Sequence, residues 1–211
     1  MFRVKVCGIT NWTDARHAVE CGADALGFNF YRPSPRYISP HAAAKIIRRL
    51  PGNIACVGVF VNEPLEVVLR ARNIAGIHIA QLHGEETPQT VARIAERIVT
   101  LKALQTSPDF RPADLKRFKA AEACLLDAFR PRLRGGTGRT IDWKMARRAA
   151  RYAKIVLAGG LNPRNIAEAM RSARPAAIDV NSGIESAPGK KNLRKLRAFF
   201  DALEPVKEYF A

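Results

Sequence analysis

The stretch VKVCGIT (4–10) ends a run of strand-forming residues on Cys7 and Gly8. A thiol at the carboxyl end of a strand, followed by a glycine that turns the chain away, sits where parallel-sheet proteins carry their reacting groups. The run ACLLDAF (123–129) puts Asp127 at an equivalent strand end. A thiol and a carboxyl group on separate strands can flank a small ligand, one removing a proton while the other protonates a leaving oxygen. That pairing is the chemistry of an acid–base isomerase. A free thiol of ordinary pKa about 8.5 is only a few per cent thiolate at pH 7. A base role therefore calls for nearby positive charge, from Lys5 or an adjacent helix N-terminus.

A second constellation is built from glycines. RGGTGRTIDW (134–143), LAGGLNP (157–163) and VNSGIE (180–185) each place glycine after a strand and before a helix or loop. Backbone N–H groups freed in such turns bind phosphate without a basic side chain. The Gly159-Gly160 and Ser182-Gly183 turns follow the seventh and eighth strands, where barrels commonly hold a phosphate.

The elements that must position these groups alternate along the whole chain. Eight short apolar runs, FRVKVC, ADALGFNF, IACVGVFV, GIHIAQLH, RIVTLKAL, ACLLDAF, AKIVLAGG and AAIDVNSG, are separated by amphipathic segments. The spacing predicts helices over 12–20, 40–50, 64–73, 87–96, 111–120, 142–151, 162–172 and 192–203. With no Pro/Ser-rich linker, this pattern specifies an α/β fold, one (β/α)8 TIM barrel spanning residues 1–211. A doubly wound open sheet is the alternative, but it usually has fewer strands, and no GxGxxG follows the first one. Thr10, Asn11 and Thr13 offer N-cap oxygens for the first helix, and Pro163 suits the first turn of the seventh. The loop YRPSPRYIS after the second strand lies on the catalytic face of such a barrel.

Side chains alternate along a strand. Phe2, Val4 and Val6 should therefore pack under the helices, leaving Lys5 and Cys7 inward. Asp127 shares a face with Leu125, and Asp179 with Asn181. An inward charge needs a partner because an unpaired buried charge is very costly. The first and last strands are neighbours in a closed barrel, so Lys5 and Asp179 should pair inside it. The remaining strand ends supply Asn29, Val61, His83 and Lys102.

Composition narrows the class further. The 211 residues are 47% hydrophobic and 26% charged, a globular balance. No uncharged apolar run reaches about 18 residues, so no membrane span is expected, and no signal peptide is apparent. Cys7, Cys21, Cys56 and Cys124 form no CxxC pair and no metal spacing, which fits reduced thiols in the cytoplasm and no metal site. Net charge is +16. Lys144, Arg147, Arg148, Arg151 and Lys154, and then Lys191, Arg194, Lys195 and Arg197, read as solvated faces of amphipathic helices. No RNA-binding or zinc-finger signature accompanies them, so a nucleic-acid partner is not expected. The field would favour encounter with an anionic small molecule.

With these residues placed, the chain resembles the phosphoribosylanthranilate isomerase family of tryptophan biosynthesis. The likeness rests on KVCGIT (5–10), GFNFYRPSPRYI (27–38), VGVFVN (57–62), QLHGEE (81–86), LLDA (125–128), GGTGRTIDW (135–143), LAGGLNPRN (157–165), DVNSGIE (179–185) and PGKKN (188–192). It implies a cofactor-free Amadori rearrangement of N-(5-phosphoribosyl)anthranilate to 1-(2-carboxyphenylamino)-1-deoxyribulose 5-phosphate. By the same resemblance Asp127 is the general acid, Cys7 the general base, and Arg36 the partner of the anthranilate carboxylate. The phosphate would rest on Gly159, Gly160, Ser182 and Gly183, with His83 and Asp179 as further candidate contacts. Gly135, Gly136, Thr137 and Gly138 would form a mobile cover. A homodimer is compatible with the family. Two departures stand out: Asn181 replaces a serine and Asn192 an aspartate of the usual motifs. The related histidine-pathway isomerase generally carries an aspartate at the position of Cys7, and a basic nucleic-acid-binding barrel would not need Cys7, Asp127 and Arg36 together.

Overall fold

The computed structural model describes residues 2–128 and 142–211; the expected cover at 135–138 lies outside the described residues. Strands β1 (Val4–Val6), β2 (Ala25–Asn29), β3 (Ala55–Phe60), β4 (Ile79–Leu82), β5 (Val99–Thr106), β6 (Ala123–Ala128), β7 (Ile155–Leu157) and β8 (Ala177–Val180) form a closed barrel in sequence order. Each pairs in parallel with the next, and β8 returns to β1 in the register Val4–Ile178, Lys5–Asp179, Val6–Val180. Around them run α1 (Trp12–Glu20), α2 (Pro40–Ile47), α3 (Leu65–Ala75), α4 (Pro88–Ala95), α5 (Trp143–Ala149), α6 (Ile166–Ala173) and α7 (Leu193–Leu203).

Alternation divides the core into two layers. Ala25, Val57, Leu101, Leu125, Val156 and Ala177 fill the inside of the barrel. Val4, Val6, Leu26, Phe28, Phe60, Leu126 and Val180 face outward, under helix residues such as Ala15, Val68, Ile94, Ile166 and Phe199. Phe2 departs from the expected placement under the helices. A bend at Arg3 precedes the strand and breaks the alternation, so Phe2 joins the inner layer.

Caps set the helix starts. Asn11 accepts the amide of Asp14, Ser39 that of Ala42, Thr87 that of Thr90 and Asn192 that of Lys195. Asn192 thus serves as a cap in place of the usual aspartate. The helix expected at 111–120 is instead a 3-10 segment, Pro112–Phe118. Its buried residues, Leu115 and Phe118, lie three apart, which suits three residues per turn. Strand β5 also runs on to Thr106, so Lys102 lies within it rather than at its carboxyl end. Its neighbours Leu101 and Ala103 point inward. Lys102 therefore points outward, where it pairs with Glu86 at 2.6 Å.

Candidate functional site

Cys7 follows β1 directly, its amide held by the Val180 carbonyl at 2.9 Å. Gly8 then takes a left-handed φ of +75°. A Cβ there would stand 2.8 Å from both Arg36 Cδ and Asn181 Oδ1, so glycine is required for space as well as for backbone. Gly27 on β2 is equally constrained. A Cβ on it would lie 2.6 Å from the Cys7 sulfur.

Beneath the thiol, Lys5 is fully buried and pairs with Asp179 at 3.0 Å, as the alternation predicts. Its ammonium also donates to Gln81 Oε1 at 2.7 Å. Burial alone would pull Lys5 down, but Asp179 beside it turns the shift upward, while burial pushes the Asp179 carboxyl up in the same pair. Lys5 does not, however, turn Cys7 into a resting thiolate. Burial pushes the Cys7 thiol above its ordinary value; Lys5 and Lys191 pull the other way, and Asp179 adds to the rise. The Lys5 ammonium is paired with the Asp179 carboxylate, and unliganded Cys7 stays a thiol.

Asp127 closes β6 across the barrel and is buried. Its Oδ1 accepts the amide of Ala128 at 2.8 Å, which leaves Oδ2 facing His83 Nε2 at 3.5 Å. His83 Nδ1 lies 3.0 Å from the amide nitrogen of Gln81. A polar chain Asp127–His83–Gln81–Lys5–Asp179 thus crosses the barrel and ends under Cys7. Gln81 carries no charge, and its only sequence signal was its inward place two residues before His83.

Arg36 reaches the same mouth from the β2–α2 loop. That loop is tied down by Asn29, which donates to Ser34 Oγ at 3.0 Å and accepts the Tyr31 amide at 2.9 Å. Glu185, opening the β9 (Glu185–Ala187) and β10 (Lys190–Lys191) hairpin, accepts from Arg36 Nη2 at 2.6 Å and from Nε at 3.0 and 3.2 Å. One edge of the guanidinium fork is therefore occupied by protein, and among the described residues Nη1 is its nitrogen without a partner. Lys191 joins the same carboxylate at 3.0 Å and donates to Asn181 Oδ1 at 2.9 Å. Burial alone would raise Glu185, but Arg36 and Lys191 hold its carboxyl below the usual range. Lys191 is a correction to the solvated basic face expected for it: its side chain is only 1% exposed. Lys144, Arg147, Arg148, Arg151 and Lys154 are exposed as expected.

The two glycine turns meet. Gly159 and Gly160 have φ of +82° and +69°, and a Cβ on Gly159 would approach Asp127 Oδ1 to 3.1 Å. Ser182 and Gly183 begin a 3-10 turn, and a Cβ on Gly183 would collide with the Leu161 carbonyl. Among the described residues no acceptor takes the amide protons of Gly159, Gly160, Ser182 or Gly183. Four such donors on adjacent turns have the chemistry to receive an anion. Glu86 and Lys102 sit apart from this, fixing the β4–α4 loop through Gly84 and Asn62.

Cys21, Cys56 and Cys124 are unpaired and lie away from the mouth, Cys56 pushed up to about 12 and Cys124 to about 11 by burial. They are packing thiols. No group of three or more metal-binding side chains occurs among the described residues, and no helix is long and apolar enough to cross a membrane.

Fold and site define the class as a (β/α)8 barrel whose ionisable groups and free backbone amides gather at the carboxyl ends of its strands. Residues 4–202 match the family described as N-(5'-phosphoribosyl)anthranilate isomerase, and the chain belongs to that family. It is 49% identical over 199 residues to the N-(5'-phosphoribosyl)anthranilate isomerase of Pelobacter propionicus, covering 94% of each chain. A crystal structure of the Thermotoga maritima enzyme superposes with a TM-score of 0.90 at 42% identity, covering 97% of this chain and 100% of that one. A crystal structure of a phosphoribosyl anthranilate isomerase in complex with reduced 1-(o-carboxyphenylamino)-1-deoxyribulose 5-phosphate has a TM-score of 0.85 at 40% identity, covering 97% of this chain and 100% of that one.

Proposed function

We propose that the chain isomerises N-(5-phosphoribosyl)anthranilate to 1-(2-carboxyphenylamino)-1-deoxyribulose 5-phosphate by acid–base catalysis without a cofactor. The observation that carries this reading is the inward placement of Cys7 and Asp127 on well-separated strands of a barrel whose family is known. Asp127 donates its proton to the furanose ring oxygen as the C1–O bond breaks and the anthranilate nitrogen forms a Schiff base with C1. Cys7, once its thiol proton has passed to solvent, takes the proton from C2. The resulting enol-amine collapses to the ketone as C1 gains a proton from solvent and the enol O–H proton leaves to the Asp127 carboxylate, so Cys7 ends as a thiol and Asp127 as an acid, with no net gain or loss.

Binding follows from the same geometry. The phosphate rests on the amides of Gly159, Gly160, Ser182 and Gly183. The Nη1 edge of Arg36 receives the anthranilate carboxylate while Glu185 holds the other edge. Asn181, its oxygen taken by Lys191, keeps an amide N–H that can replace the hydroxyl of the usual serine. His83 and Asp179 act on Asp127 and Lys5 rather than on substrate. By analogy with the dimeric Thermotoga maritima enzyme, the assembly is a cytoplasmic homodimer, which light scattering on the purified protein tests.

The reaction is tested by mixing purified protein with phosphoribosylanthranilate and following the loss of anthranilate fluorescence. Catalysed decay well above the spontaneous rate supports the reading; decay at the spontaneous rate contradicts it.

A further inference from the structure

Gln81 sits at the centre of the barrel, 1% exposed, between a cation and an imidazole. Its orientation is dictated by chemistry. Lys5 Nζ carries only donors, so the group it meets at 2.7 Å is the Gln81 carbonyl oxygen. The amide nitrogen therefore faces His83 Nδ1, at 3.0 Å. That nitrogen carries only protons, so Nδ1 accepts, and the single proton of a neutral imidazole resides on Nε2. Nε2 is buried, has no acceptor at hydrogen-bonding distance, and points toward Asp127 Oδ2 at 3.5 Å.

From this geometry we infer that Gln81 is a positioning residue for the isomerisation, locking His83 in the Nε2–H tautomer so that it faces Asp127 as a donor. The consequence concerns the acid's proton, and it rests on the functional reading above. An imidazole of the opposite tautomer would aim a basic lone pair at Asp127 and compete with the substrate ring oxygen for its proton. The locked tautomer cannot accept it. After transfer, the same N–H stabilises the new carboxylate, and the 3.5 Å separation shortens as charge develops. Lys5 thus acts at both ends of the site, beside Cys7 directly and on Asp127 through Gln81 and His83.

The test reads the tautomer directly in the unliganded wild-type protein. Long-range proton–nitrogen correlation NMR on 15N-labelled protein separates the two imidazole tautomers, and the spectrum of His83→Gln assigns the His83 signals among the four histidines. The expected result is protonated Nε2 and unprotonated Nδ1. In Gln81→Glu a carboxylate replaces the donor, and His83 should become protonated on Nδ1. In this variant and in Gln81→Met, kcat should fall about 10- to 100-fold, with KM changing less than about threefold. Protonated Nδ1 in the wild-type protein, or kcat within about twofold of wild type in both folded Gln81 variants, overturns the proposal. The wild-type spectrum decides it even if neither variant folds. An inactive wild-type protein overturns instead the functional reading, so the two failures are distinguishable.

Discussion

Arg36 and Glu185, 149 residues apart, are joined by hydrogen bonds along one whole edge of the guanidinium, the shortest at 2.6 Å. The pair fixes where the free edge of Arg36 points, and it couples the β2–α2 loop to the hairpin after β8. A hydrogen bond to a charged group contributes about 1.5–3 kcal/mol. Glu185→Gln removes the charge and one strong acceptor. KM should rise about 10- to 100-fold with a smaller change in kcat, measured by steady-state fluorescence. A KM within about twofold of wild type would mean that Arg36 does not depend on Glu185 for its placement.

Gly27 supports Cys7 without touching any charge. An added Cβ would stand 2.6 Å from the sulfur and 3.1 Å from Cys7 Cα, so the strand end must move. Misplacement by about 1 Å can cost on the order of 100-fold in rate. Gly27→Ala should therefore lower kcat at least about tenfold while the far-UV circular dichroism stays as in wild type. Unchanged kcat would show that the thiol need not be where the strand now holds it.

The resting state of Cys7 has its own consequence. Burial pushes its ionisation upward despite Lys5 and Lys191, so the unliganded thiol should alkylate slowly with iodoacetamide at pH 7. The rate should climb with pH up to and past the ordinary cysteine range. Cys7 is resolved from Cys21, Cys56 and Cys124 by peptide mass mapping. Fast alkylation at pH 7 with a plateau below the ordinary value would show a preformed thiolate.

Much of this site was legible in the sequence because alternation and closure are strong constraints. The inward pairing of Lys5 with Asp179 follows from strand parity plus the adjacency of β1 and β8. Glu185, Lys191 and Gln81 were not legible as site residues. The contacts of Glu185 and Lys191 depend on how the hairpin after β8 folds back onto Thr10 and Asp14, which no local pattern specifies. Lys191 lay among exposed basic residues in the helical pattern, but it precedes α7 and sits on β10. Gln81 was hidden by its neutrality, its importance set by Lys5 on one side and His83 on the other. The 3-10 segment Pro112–Phe118 also escaped periodicity, since seven residues contain two buried anchors only.

Glu86 links acid stability to the β4–α4 loop. Burial alone would raise its carboxyl, but Lys102 and the surrounding backbone donors hold it below its ordinary value of 4.5. A depressed folded value stabilises the protein fully above the unfolded value, and that contribution disappears as pH falls through the folded one. Glu86→Gln should cost roughly 2 kcal/mol at pH 7, read from urea denaturation. The gap to wild type should shrink below pH 4.5. A gap that stays constant down to acid unfolding would contradict the ionic role of Glu86.

The acid–base pair itself is tested by Cys7→Ala and Asp127→Asn, the latter retaining an Oδ1 that can accept the Ala128 amide. Turnover of phosphoribosylanthranilate by each variant is compared with wild type in the fluorescence assay. Loss of general acid or base catalysis should lower kcat by about 10²- to 10⁴-fold in each. Near-wild-type turnover by either variant would contradict the assignment of proton transfer to Cys7 and Asp127.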